Sequence, residues 1–137
     1  MRNNWAAGQH DINIIEAIKL MQEKHLHNLI VMNKDEPIGI VTERDLVRKV
    51  LGENKDPTKL QIHEVMSSPL ITISPEEDIQ EAAKIMVEKD IRRLPVIERN
   101  KLVGLVTVSD ITKYIAERRS LWDKLFSSMG RYTYPPY

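Results

Sequence analysis

The chain has 137 residues, carries 20 basic and 20 acidic side chains, and contains no cysteine. A length in this range suits one domain that buries about two thirds of its unfolded surface. Balanced charge supplies no global field to draw in nucleic acid or a membrane surface, and the lack of cysteine excludes disulfides and thiolate metal sites. The composition fits a reducing cytoplasm. The N-terminal Met1-Arg2-Asn3-Asn4-Trp5 has no signal-peptide apolar region, and apolar runs such as 29–32 are too short to span a bilayer.

In chain order, Ile14, Ile15, Ile18, Leu20 and Met21 recur at helical spacing, predicting a helix between Asp11 and His25. Two short apolar segments follow, 29–32 and 38–42, joined by the polar Asn33-Lys34-Asp35-Glu36-Pro37, which predicts a hairpin. A second helix begins near Glu43. Gly52–Lys59, with two acids, two lysines and Pro57, reads as a linker, 60–66 as a short helix and Leu70-Ile71-Thr72-Ile73 as a strand. Ser74-Pro75-Glu76-Glu77 then reads as a helix start: a hydroxyl cap, proline at the first position and acids in the first turn. That helix runs to about Lys89 with Ile79, Ala82, Ala83, Ile85 and Met86 inward. Strands at 94–97 and 102–107 follow, joined by Glu98-Arg99-Asn100-Lys101. A last helix starts near Val108, carries Ile111, Tyr114, Ile115, Leu121, Trp122, Leu125 and Phe126, and stops at Gly130. Beyond it lies Arg131-Tyr132-Thr133-Tyr134-Pro135-Pro136-Tyr137. Two roles suit this aromatic-rich end: a helix folded back on its own domain, or a contact with a second copy or a partner protein.

A shift of 65 residues lays Ile14–Asp45 over Ile79–Asp110 without a gap. Identical pairs include Ala17/Ala82, Met21/Met86, Leu29/Leu94, Val31/Val96, Gly39/Gly104, Val41/Val106, Thr42/Thr107 and Asp45/Asp110. The chain is therefore two α-β-β-α copies, each too small to cover its own apolar sheet, so they are expected to pack together. Residues 1–55 form the first unit, its N-terminal strand truncated or degenerate. Residues 56–115 form the second, and 116–137 an extension. Opposite Ile71–Ile73 the first copy has only Ala6-Ala7-Gly8, a poorer strand by propensity.

The chemistry concentrates at Thr42-Glu43-Arg44-Asp45 and Thr107-Val108-Ser109-Asp110, where a strand enters a helix. Threonine and aspartate three residues apart share one side of the first helical turn. They can cap the helix, a common arrangement, or hold a small ligand over its positive end. His25 and His27 point different ways on a helix and make a poor metal pair. His27 reads as a surface histidine or a pH-sensitive phosphate contact. No nucleophile–base–acid set, metal cluster or glycine-rich phosphate loop is present, which argues against an enzyme.

Ile40-Val41-Thr42-Glu43-Arg44-Asp45, Glu64-Val65-Met66, Arg92-Arg93-Leu94-Pro95-Val96 and Val106-Thr107-Val108-Ser109-Asp110 together resemble a tandem pair of cystathionine-β-synthase (CBS) domains, over almost the whole chain to about Ile115. The resemblance implies a small stand-alone CBS-domain protein of α/β (α+β) class, two units packed sheet to sheet with pseudo-twofold symmetry. It implies clefts between the units that bind AMP, ADP, ATP or S-adenosylmethionine as regulatory ligand; from the residues themselves no other cofactor and no metal is expected. Homodimers are common in such a family. By the same resemblance Asp45 and Asp110 accept from ribose hydroxyls, Thr42 and Thr107 contact ribose or phosphate, and Arg44 and Ser109 reach phosphate. Arg92 and Arg93, before Leu94 and Pro95, neutralise phosphate across the cleft, and Ile71, Thr72 and Ile73 line an adenine pocket. The arginines also suit a solvated helix end complementing the dipole. The first copy has His27-Asn28 opposite the arginines, so the site of Ile71–Ile73, Thr107 and Asp110 is expected to be the stronger. A ligand-free dimerisation or docking module, with the Thr-Asp pairs serving only as caps, is the alternative. Neutral charge argues against a nucleic-acid partner.

Overall fold

The computed structural model describes residues 5–129, and for 119–129 the helical backbone alone. The first copy comprises β1 (Ala7–Gln9), α1 (Ile14–Lys24), β2 (Asn28–Asn33), β3 (Glu36–Thr42) and α2 (Glu43–Leu46), which continues as a wider π-type turn over Val47–Leu51. A 3-10 turn at Ile62–Glu64 leads to the second copy: α3 (Ile79–Lys89), β4 (Arg93–Glu98), β5 (Lys101–Thr107) and α4 (Val108–Met129). Both units thus have the expected α-β-β-α order. The last helix ends one residue short of Gly130; the tail that follows lies outside the described residues.

The two copies share their caps. Asn13 Oδ1 accepts from the Glu16 N–H at 2.9 Å, and Asp78 Oδ1 accepts from the Glu81 N–H at 2.9 Å. His25 and Asp90 close α1 and α3 in the left-handed region, at φ 55° and 53°. The second helix therefore does not begin at Ser74-Pro75-Glu76-Glu77. Those residues form a turn, closed by the Glu77 N–H on the Ser74 carbonyl at 3.1 Å. Asp78 wins as cap because the helix it opens puts Ala82 and Met86 into the core, as Asn13 does for Ala17 and Met21.

The strands pair as two antiparallel hairpins whose turns are only Lys34-Asp35 and Arg99-Asn100. Arg99 and Asn100 both have positive φ, 51° and 63°, the backbone that a two-residue hairpin favours. β3 and β5 lie against each other across the pseudo-twofold axis. The first copy buries the fuller core, with Ile14, Leu29, Val31 and Val41 joined by Ile62 and Val65 from the segment between the copies. In the second copy Ile71, Ile85, Val96 and Val106 are only partly covered.

The outer strand reverses the expectation. Ala7–Gln9 forms a true strand parallel to β2, whereas Leu70–Ile73 makes one isolated bridge, Ile73 with Val96. Propensity loses here to donor supply. In the first copy the Ile30 N–H bonds to the Ala6 carbonyl at 2.9 Å and the His10 N–H to the Met32 carbonyl at 2.8 Å. Their counterparts, 65 residues on, are Pro95 and Pro75, which have no N–H. Only the two central bonds survive, from the Ile73 N–H to the Pro95 carbonyl at 3.0 Å and from the Ile97 N–H to the Ile73 carbonyl at 2.9 Å.

Candidate functional site

Each Thr-Asp junction folds as a capping box. The Thr42 N–H and hydroxyl donate to Asp45 Oδ2 at 2.9 and 3.1 Å, while the Asp45 N–H donates back to Thr42 Oγ1 at 3.2 Å. Thr107 and Asp110 repeat this at 2.8, 3.0 and 3.2 Å. The capping role is thus present in both copies. It occupies Oδ2 of each aspartate, while Oδ1 of Asp45 takes the Lys49 ammonium at 3.2 Å. Asp110 has no lysine at the corresponding place; residue 114 is Tyr.

The basic pair is brought to these junctions by the backbone. The Arg92 carbonyl accepts the Val108 N–H at 3.0 Å at the start of α4, as the His27 carbonyl accepts the Glu43 N–H at 3.1 Å at the start of α2. Residues 27–28 and 92–93 therefore stand beside the two helix N-termini, near the pseudo-twofold axis.

Two clefts result. The first, about 510 Å³, joins Thr42, Arg44 and Asp45 to Arg92 and Arg93. The second, about 330 Å³, joins Thr107, Ser109 and Asp110 to the same two arginines and to Asn28. His27 faces both and meets Glu43 Oε1 through Nδ1 at 2.9 Å. The first cleft also receives Arg48 and Lys49, so five fixed cations there face Glu43, Asp45 and Asp90. These two were legible from helical spacing, four residues after Arg44 and Asp45. Burial and the charge of Arg92 hold the Arg93 guanidinium below its ordinary pKa, with Glu43 opposing them. Both causes make an anion welcome between the arginines.

The remaining residues are dispersed. Ile73 lines an apolar cavity of about 310 Å³ with Ala82, Val96 and Val106, and Asp110 borders both this cavity and the second cleft. Thr72 instead faces a separate cavity between the hairpin tips, and Ile71 packs on the second core. Leu94 and Pro95 are buried in β4 and line neither cleft. The first copy has closed the space equivalent to the Ile73 cavity. A Cβ on Gly8 would lie 2.9 Å from Ile12 Cδ1 and 3.0 Å from Leu29 Cδ2, so Ile12 stands where the second copy has Glu77. Cations thus favour the first cleft, while the apolar cavity at Ile73 adjoins the second through Asp110.

Comparison with known proteins agrees with this architecture. The chain belongs to the CBS-domain family, whose model, "CBS domain", matches residues 9–52 and 62–117. Uncharacterized protein MK0525 of Methanopyrus kandleri is 42% identical over 112 residues, covering 80% of this chain and 57% of that protein. A hexameric CBS-CP12 protein from bloom-forming cyanobacteria superposes with a TM-score of 0.74 at 37% identity, over 82% of this chain and 63% of its own. Hypoxic Response Protein I, solved with two coordinated zinc ions, gives 0.72 at 29% identity, over 82% and 92%. The chain thus spans little more than half the length of the Methanopyrus relative. Among its own described residues no group of three or more His, Asp or Glu side chains could hold a metal ion. No helix there is long and apolar enough to cross a membrane. Pairs of this family are in general regulatory and often bind nucleotides.

Proposed function

We propose that this chain is a non-catalytic regulatory module that binds adenine nucleotides or adenosyl ligands in its two clefts and works as a homodimer in the cytoplasm. The observation that carries the reading is the duplicated Thr-Asp junction, each facing a cleft that also contains Arg92 and Arg93. The carboxylates suit a ribose diol, the helix N-termini and arginines suit phosphate, and the cavity at Ile73 suits an adenine ring. Binding in the first cleft exchanges the Lys49 contact of Asp45 for ligand hydroxyls. In the second, Oδ1 of Asp110 is the oxygen left to accept from the ribose. Isothermal titration with AMP, ADP, ATP and S-adenosylmethionine tests the reading. Heat of binding with at least one supports it, and no heat and no thermal shift with any of them defeats it.

The completed capping boxes favour a second reading, a ligand-free dimerisation or docking module. Val47, Leu51, Val87 and Ile115 are exposed and would serve such contacts. This reading predicts self-association with no response to any nucleotide.

A further inference from the structure

We propose that Asn28 is a ligand-reading residue of the second cleft; the proposal rests on the adenosyl reading of the clefts given above. Asn28 opens β2, is only 5% exposed, and is the one polar or charged residue among the buried ones of the described residues. Its Oδ1 is buried and meets no hydrogen-bond donor. A buried amide left without its partner is unfavourable, and native folds keep few of them. This one lines the cleft of Thr107, Ser109 and Asp110.

The internal repeat says what the position is for. The counterpart of Asn28 is Arg93, which lines both clefts and so reaches that of Thr42 and Asp45 in the other copy. Each copy therefore sends this position across the axis toward the other copy's Thr-Asp junction. One copy places a guanidinium there, the other a carboxamide. The terminal torsion of asparagine is broad and roughly two-fold, so either end of the amide can face the cleft. It can donate to a phosphoryl oxygen or exchange a hydrogen bond with a ribose hydroxyl, but it balances no charge. Beside the arginines that both clefts share, the second cleft adds a hydrogen-bonding amide at Asn28.

The test uses the whole chain and the variant Asn28→Leu, which keeps side-chain volume and removes the unpaired amide. AMP and adenosine are titrated while the backbone amide resonances of Ser109 and Asp110 are followed by NMR. The expected result is a ligand-free variant at least as heat-stable as the parent, with second-cleft affinity for AMP reduced about tenfold or more. If adenosine weakens equally the partner is a ribose hydroxyl; if AMP alone weakens it is phosphoryl oxygen. Unchanged AMP affinity in Asn28→Leu overturns the proposal, as does a large loss of stability with affinity preserved. Should that variant not fold, Asn28→Ala is read by the same criteria. If neither AMP nor adenosine moves these amides in the parent chain while calorimetry still detects ADP, ATP or S-adenosylmethionine, this proposal falls alone; silence with all of these ligands defeats the adenosyl reading as well.

Discussion

At the scale of single residues, one aspartate serves two tasks that mutation can separate. Asp110 closes a capping box and borders the second cleft. Asp110→Ala is expected to lower stability by about 1 kcal/mol, the usual worth of a cap. Under the sensor reading it also abolishes nucleotide binding at that cleft. Chemical denaturation beside calorimetric titration separates the two, and a small stability loss with unchanged binding leaves Asp110 a cap only. Gly39 answers a different demand. A Cβ there would lie 2.6 Å from Met66 Sδ and 2.9 Å from the Ser67 carbonyl, where the chain between the copies pairs with Ile40. Methionine can yield but the backbone carbonyl cannot, so Gly39→Ala should destabilise by roughly 1–3 kcal/mol. At Gly104 the nearest atoms among the described residues are those of Val96, at 4.0 Å. The identical glycines of the repeat are thus under different constraints, which the aligned letters alone do not reveal.

At the scale of elements, helices and hairpins were legible to within a few residues because apolar spacing and polar turns act locally. The 38–42 segment became Glu36–Thr42, and the helix expected near Val108 begins there. The errors came from competition. Ser74-Pro75 carried a strong start signal, but Asp78 capped the helix whose apolar face fits the sheet. Ile-Thr-Ile had the better strand propensity, yet lost its ladder to two prolines that cannot donate. Replacing Pro75 and Pro95 together by alanine restores both N–H groups. We expect slowed hydrogen exchange at residues 75 and 95, marking a second-copy strand equivalent to β1. Rapid exchange at both would show that the chain path, rather than donor supply, prevents the strand.

At the scale of the whole molecule, the repeat brings like charges together. Arg92 and Arg93 belong to both clefts, and the lowered pKa of Arg93 has a definite sign. A base whose folded pKa is depressed opposes folding at every pH below that pKa, so its cost persists unchanged through neutrality. Changing pH near 7 therefore brings no relief, whereas an anion between the arginines does. AMP or inorganic phosphate should raise the melting temperature at low ionic strength, and the gain should shrink as sodium chloride is added, within the reach of Debye screening. A melting temperature indifferent to phosphate would count against the arginines as an anion site. The exposed Val47 and Leu51 of the α2 region make a separate prediction. Under the homodimer reading, the double variant Val47→Glu, Leu51→Glu should sediment as a monomer while the parent sediments as a dimer.

By itself, the sequence determined the duplication, the α-β-β-α order and the positions of the Thr-Asp junctions, since each rests on residue identities within one short stretch. Only the tertiary structure decided what those stretches face. Folding about the pseudo-twofold axis gave both clefts the same pair of arginines, turned Thr72 toward the hairpin tips, set Ile12 against Gly8 where the second copy keeps a cavity at Ile73, and left Asn28 buried at the cleft of Asp110. These are relations between residues far apart in the chain, set by which backbone donors exist and which surfaces pack, and no local pattern encodes them.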